Sequence, residues 1–247
     1  MIRTLWVYLV GLAATLFNAG NVVLRTYLWR RNIHRACDNA ARRWARALLW
    51  AAKVKVEMQG LENLYVDRPQ IIVSNHQSWF DVFVLAAHLP VRYRFVAKQE
   101  LAKIPVFGSA WRSCGHVSVD RGNKEAAVEA LDQAWREVRE ESLTMILFAE
   151  GTRSRDGRLQ PFKKGAFVLA VQGQVPIVPI AVVGTREIMA KGATRVRSGT
   201  VTVRIGTPIP TEGSTIRDRN RLLQASWDAI HALKGEGEDP EGPPRAG

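Results

Sequence analysis

The stretch Ser74-Asn75-His76-Gln77-Ser78-Trp79-Phe80-Asp81 carries the residue types that base catalysis needs, an imidazole and a carboxylate five positions apart. On one continuous helix that spacing would turn the two side chains about 140° apart, onto different faces. The flanks argue for a turn instead. Ile71-Ile72-Val73 has the length and β-branched content of a buried strand, and Val82-Phe83-Val84-Leu85-Ala86-Ala87 starts an apolar helix. His76 then falls between strand and helix, where α/β sheets place their chemistry. Asp81, in the first helical turn, can fold back onto the ring, fixing the tautomer at Nδ1–H and leaving Nε2 as a base. The competing reading is an ordinary capped helix start, with Asp81 placed early by the macrodipole.

Further strand ends deliver more polar groups. Lys98 closes the strand-like 93–97, Asp120 ends the strand-like 116–120 with Arg121 after it, and Glu150-Gly151-Thr152-Arg153 follow the apolar 143–148, with Lys163-Lys164 close behind. Backbone N–H groups, a hydroxyl and a guanidinium beside a lysine pair suit a phosphate monoester, since the guanidinium grips two oxygens at once. Each basic residue alone reads as a solvated surface charge; several of them, each after a separate strand, read as a site.

Composition bounds the partners. With 35 Lys+Arg against 23 Asp+Glu the 247-residue chain carries +12, which favours anionic partners: nucleic acid, an acidic membrane face or phosphorylated substrates. The basic residues are scattered, without a recognition helix, zinc-finger spacing or RNA-binding aromatic motif, so nucleic acid is set aside. Cys37 and Cys114 make no disulfide framework and no metal-ligand spacing, and the five histidines form no cluster. Two structural thiols in a reducing cytoplasm are expected, with no metal and no cofactor.

These groups need a scaffold. Residues 5–24 carry no charge, and as a helix would span roughly 30 Å, about one bilayer core. Gly11, Thr15, Asn18 and Arg25 give that helix one small or polar face. The run admits a spanning helix, a helix lying in the interface, or a cleaved signal peptide; the following Arg25, Arg30, Arg31 and Arg35 favour an anchor at an anionic surface. Residues 36–52, with Trp44 and Trp50 beside Arg42, Arg43 and Arg46, form a second helix, and the two make an amphipathic hairpin. An edge strand at 54–57, strands at 71–74, 93–97, 116–120 and 143–148, a helix over 124–141, a strand at 175–182 and a terminal helix over 216–233 complete the pattern. Pro176 and Pro179 place the 175–182 strand at an edge or in an interrupted ladder. This alternation predicts an α/β fold with a mixed, largely parallel sheet flanked by helices. The expected division is membrane-docking helices over 1–52, an α/β domain over 53–234 and a disordered tail over 235–247.

Four ordered blocks carry a resemblance. Asn75-His76-x-Ser78-x-x-Asp81, Val119-Asp120-Arg121, Phe148-Ala149-Glu150-Gly151-Thr152-Arg153-Ser154 and Val175-Pro176-Ile177-Val178-Pro179-Ile180 resemble the glycerolipid acyltransferase family, in particular its bacterial lysophosphatidic acid acyltransferases. Ala149 stands where the family often has proline, and Ser118 where many members carry a bulky apolar residue. The resemblance covers roughly residues 53–210. It implies transfer of a fatty acyl group from acyl-CoA or acyl carrier protein to the sn-2 hydroxyl of lysophosphatidic acid, at the cytoplasmic side of the inner membrane. His76 would be the general base and Asp81 its orienting partner. Glu150, Gly151, Thr152 and Arg153 would line the acceptor site, with Arg121, Lys98 and Lys163 or Lys164 engaging phosphate. Alternatives are an acyltransferase for glycerol 3-phosphate or a lyso-aminolipid, and a non-catalytic lipid-binding membrane protein. A serine hydrolase is disfavoured, because the chain has no Gly-x-Ser-x-Gly elbow.

Overall fold

A central strand shows how the sequence builds the sheet. β2 (Gln70–Ser74) is buried along its whole length, as a parallel strand covered on both faces must be. Ile72 joins the core on one side, while Ile71 and Val73 join the core on the other. The computed structural model describes residues 1–28, 33–120, 122, 135–136 and 141–235. Arg121, the expected helix over 124–141 apart from Trp135, Arg136 and Glu141, Arg30, Arg31 and the tail over 236–247 lie outside the described residues.

Among the described residues one sheet runs in the order β1 (Val54–Gln59), β7 (Gly199–Ile205), β6 (Ile177–Val183), β2, β5 (Thr144–Phe148), β3 (Tyr93–Lys98), β4 (Val117–Val119). The pairs are parallel except β6 with β7, which is antiparallel. The sheet is therefore mixed and largely parallel. One face is covered by α1 (Ile2–Leu28), α2 (Ile33–Ala52) and α3 (Trp79–His88). The other is covered by α5 (Gly165–Gly173) and α7 (Arg219–Lys234). The short helices α4 (Phe107–Ser113) and α6 (Thr185–Ile188) follow β3 and β6.

The proline-bearing strand takes the second of its two expected forms. β6 is internal, between β7 and β2, and its ladder is interrupted. Pro179 is tolerated there because its ladder with β7 begins only at Ile180, opposite Ile205. Its carbonyl accepts from Gly206 N (2.9 Å), one residue beyond β7, so its missing N–H faces the place where the ladder breaks off.

The N-terminal hairpin forms, and one of its faces packs on the domain. Val7, Asn18, Ala19 and Val22 of α1 are buried, and the predicted small-polar stripe follows that inner face through Gly11, Thr15 and Asn18, whereas Arg25 is exposed. Thr15 Oγ1 accepts from Trp44 Nε1 (2.9 Å), and Asn18 Oδ1 accepts from Arg43 Nε (3.3 Å). The outer face leaves Leu5, Leu9, Leu12, Leu16 and Phe17 more than half exposed. Arg42, expected to meet lipid headgroups, instead donates to the Leu89 and Val91 carbonyls (3.0 and 2.8 Å) beyond α3. Those end-of-helix acceptors need partners, and a guanidinium supplies them.

The two cysteines correct a second expectation. Cys37 on α2 and Cys114 just after α4 form a disulfide, with Cα atoms 5.5 Å apart. Sequence spacing hid it because the two cysteines are 77 positions apart, and the chain between them folds β1, β2, α3 and β3 before returning to the hairpin. Beside it Asp38, buried on α2, pairs with Arg94 (3.0 Å), itself 2% exposed, and with Arg92 (3.2 Å). Buried charges occur as such pairs because either one alone would be very costly.

Candidate active site

β2 ends at Ser74, and Asn75 extends it by other means. Its side-chain amide donates to Val182 O (2.9 Å) and its Oδ1 accepts from Val182 N (2.8 Å), imitating a strand partner for β6. The chain is thereby held to the sheet at the residue before His76. α3 then starts at Trp79 with Ser78 as its cap, in a capping box closed by Asp81. The capping reading and the catalytic-pair geometry are both present, and both converge on Oδ2 of one carboxylate.

Asp81 is fully buried and every contact it makes orients it. Its Oδ2 accepts from Gln77 N (2.7 Å), Ser78 N (2.8 Å) and His76 Nδ1 (2.8 Å). Its Oδ1 accepts from the Thr185 hydroxyl at the start of α6. The carboxylate can only accept, so His76 carries its proton on Nδ1 and presents Nε2 with a free lone pair. The ring stacks on Phe148, with centroids 4.0 Å apart, so it cannot swing away.

The third block holds the backbone of His76. Glu150 Oε1 accepts from His76 N (2.6 Å), its Oε2 accepts from Gln160 N (3.1 Å), and His76 O accepts from Ser154 N (2.7 Å). Glu150 is 3% exposed and burial pushes its carboxyl up to about 8, the two N–H bonds working in the opposite direction. Gly151 adopts φ +71°, a turn a side chain would strain, and sends Thr152 and Arg153 back towards the histidine.

Beside His76 lies a cavity of about 340 Å³, walled by Trp44, Phe83, Phe95, Phe107, Trp111 and Phe148 and covered by Thr15, Asn18, Ala19 and Val22 of α1. His116 faces it too, but burial lowers that imidazole to about 3 and keeps it neutral. Its Nδ1 accepts from Phe95 N (3.1 Å), a structural role. Ser118, the residue out of pattern in the second block, accepts from Trp111 Nε1 (3.1 Å) and so satisfies the indole of that wall. Lys98, Thr152, Arg153 and Lys191 share the lining with His76. The Arg153 guanidinium lies over Trp79, 4.9 Å from the ring centroid, and partial burial lowers its pKa. Among the described residues the ion pairs include none of the three cations.

The sequence-predicted site residues therefore divide. His76, Asp81, Lys98, Thr152 and Arg153 come together. Glu150 does not line the cavity, since both its oxygens are taken by backbone N–H groups behind the histidine. Lys163 and Lys164 are exposed and lie off the cavity lining: Lys163 N bonds Ala149 O (2.7 Å), and Lys164 caps α5. Gly151 shapes the loop without lining the cavity. Not assigned to the site were Asn75 and Phe148, named only within the motif blocks, and Thr185 and Lys191; the partners of all four are 38 to 107 residues distant.

Comparison with known proteins decides the family. Residues 55–183 match the family model described as Acyltransferase, more than half of the chain. The chain belongs to that family. The match spans every strand from β1 to β6, both sides of the His76 turn, and the Glu150–Arg153 loop. A curated 1-acyl-sn-glycerol-3-phosphate acyltransferase of Limnanthes douglasii is 38% identical over 169 residues, 68% of this chain and 59% of the relative. The alpha form of Homo sapiens is 36% identical over 165 residues, 67% of this chain and 58% of that one. The chain thus spans about three-fifths of the length of these curated relatives. The crystal structure of the lysophosphatidic acid acyltransferase PlsC of Thermotoga maritima superposes with TM-score 0.79 at 28% identity, over 95% of this chain and 96% of that one. Acyltransferase fold and hairpin are shared along nearly the whole chain.

Proposed function

We propose that the protein transfers a fatty acyl group from a thioester, acyl-CoA or acyl carrier protein, to the free hydroxyl of lysophosphatidic acid, giving phosphatidic acid. The observation that carries this reading is one surface on which a base, an apolar cavity and cations that form no ion pair among the described residues meet. His76 Nε2 takes the acceptor hydroxyl proton as the oxygen attacks the thioester carbonyl carbon. Asp81 stabilises the imidazolium that forms. Collapse of the tetrahedral adduct breaks the carbon–sulfur bond, and the departing thiolate recovers the proton from Nε2. No side-chain nucleophile enters, which agrees with both cysteines being held in a disulfide. The aromatic walls suit an acyl chain, worth about 0.8 kcal/mol per buried CH₂, and Arg153 and Lys98 suit the acceptor phosphate.

The hairpin is read as a monotopic membrane anchor. α1 is long and apolar enough to cross a bilayer. Its inner face, however, is bonded to α2 and covers the cavity. Lying in the interface keeps those contacts and buries only the exposed leucines. Arg35, Arg43 and Arg46 on α2 are exposed and suit anionic headgroups on the cytoplasmic side. An acceptor panel of lysophosphatidic acid, glycerol 3-phosphate and a lyso-aminolipid, each with both donors and mass-spectrometric product analysis, tests the assignment. Phosphatidic acid as the dominant product supports it; acylation of another acceptor alone refutes it.

A further inference from the structure

The segment after β6 bonds to both functional blocks. Thr185 holds Asp81, Ser78 Oγ donates to Met189 O (2.7 Å), and Arg186 Nε donates to Arg155 O (3.3 Å). Lys191 ends this series. Its Nζ donates to Arg153 O (2.7 Å) and to Thr152 Oγ1 (3.0 Å), and the side chain lines the cavity that holds His76.

Three features of that ammonium point to a ligand. Two of its three N–H groups are used, which leaves a third for another acceptor. By occupying a lone pair of the Thr152 hydroxyl it leaves that O–H free to donate in its turn. It also places a second positive charge on the Arg153 loop, where neither cation forms an ion pair among the described residues and only the buried Asp81 carboxylate acts on Arg153. Like charges gathered without a paired counterion repel, and the arrangement is stabilised when an anion joins them.

We propose that Lys191 is a specificity-determining residue of the acceptor site: with Arg153 and the Thr152 hydroxyl it binds the phosphate monoester of the lysolipid, and it selects phosphorylated over neutral acceptors. This rests on the acyltransferase reading given above. The bonds from 185–191 to Ser78 and Asp81 fix the anchored headgroup relative to the base, so phosphate binding places the acceptor hydroxyl at Nε2.

Three variants separate charge from scaffolding. Lys191→Met removes the cation and the bonds to the loop; Lys191→Gln keeps an N–H donor but not the charge; Lys191→Arg keeps the charge. The measurements are the KM for 1-oleoyl lysophosphatidic acid, the KM for the thioester donor, the inhibition constant of hexadecyl phosphate, and thermal melting. Lys191→Met and Lys191→Gln should both raise the acceptor KM and the inhibition constant about tenfold or more. Donor KM, turnover and melting temperature should stay near wild type, and Lys191→Arg should stay near wild type throughout. Wild-type behaviour of Lys191→Gln, with loss confined to Lys191→Met, would make Lys191 only a loop strap and overturn the proposal. Failure of turnover with unchanged acceptor KM would do the same. A wild-type protein that makes no phosphatidic acid would remove the acyltransferase reading and this one together; activity in wild type with unaffected variants would remove this one alone.

Discussion

The hydroxyl of Thr185 donates to Asp81, 104 residues earlier in the chain, on the oxygen that His76 does not use. One carboxylate thus joins the end of β2 to the end of β6, and the imidazole is oriented by two crossings of the sheet. Thr185→Val keeps the shape and removes the donor. Turnover should fall about tenfold to a hundredfold, with acceptor KM nearly unchanged, and Thr185→Ser should restore most of it. A fall in melting temperature without any change in turnover would assign Thr185 to the fold alone.

Glu150 gives the protein a pH signature. Its folded carboxyl lies near 8, against an ordinary 4.5, chiefly through burial. Between those two values the folded state holds a proton that the unfolded chain has released. Stability is therefore full below about 4.5 and is lost as pH rises towards about 8. The loss is of the order of a few kcal/mol, at about 1.4 kcal/mol per pH unit. Glu150→Gln cannot ionise, so its melting temperature should lack that slope, starting lower at acid pH because one of two N–H groups loses its acceptor. Parallel profiles for wild type and variant would show that another group titrates.

Membrane docking is best tested without deleting the hairpin, because Val7, Leu48 and Leu49 belong to the main core and truncation would expose it. Leu9→Gln with Leu16→Gln changes two residues that are 55% and 53% exposed. Co-sedimentation with anionic vesicles should weaken by tenfold or more, since each buried leucine contributes about 1.5–3 kcal/mol, while melting stays the same. High salt should release the wild-type protein only in part, as apolar contact is not screened. Undiminished vesicle binding by the double variant would place the membrane contact elsewhere.

Much of this was legible in the sequence for local reasons. Ile71-Ile72-Val73 and Leu147-Phe148 announce buried strands by unbroken apolar runs, and the His76 turn follows from the switch between strand and helix patterns. Gly11, Thr15 and Asn18 show their shared face by helical spacing alone. What was hidden depends on which distant segments meet. The Cys37–Cys114 link, the Asp38–Arg94 pair and the Lys191 contacts each join elements that only the sheet order brings together. Glu150 was misplaced because a carboxylate after a strand looks the same whether it faces substrate or, as here, backbone N–H groups. Pro179 left an edge and an interrupted ladder equally open, because the sequence does not show that β7 stops one residue short of it.

The most direct measurement is steady-state acylation of lysophosphatidic acid by purified wild-type and His76→Ala protein, with thioester donor, product identified by mass spectrometry and folding checked by melting. Removing a positioned base should lower turnover about 10² to 10⁴-fold, with both KM values changed little and the melting temperature preserved. A folded His76→Ala protein that still makes phosphatidic acid at near wild-type turnover would contradict the account.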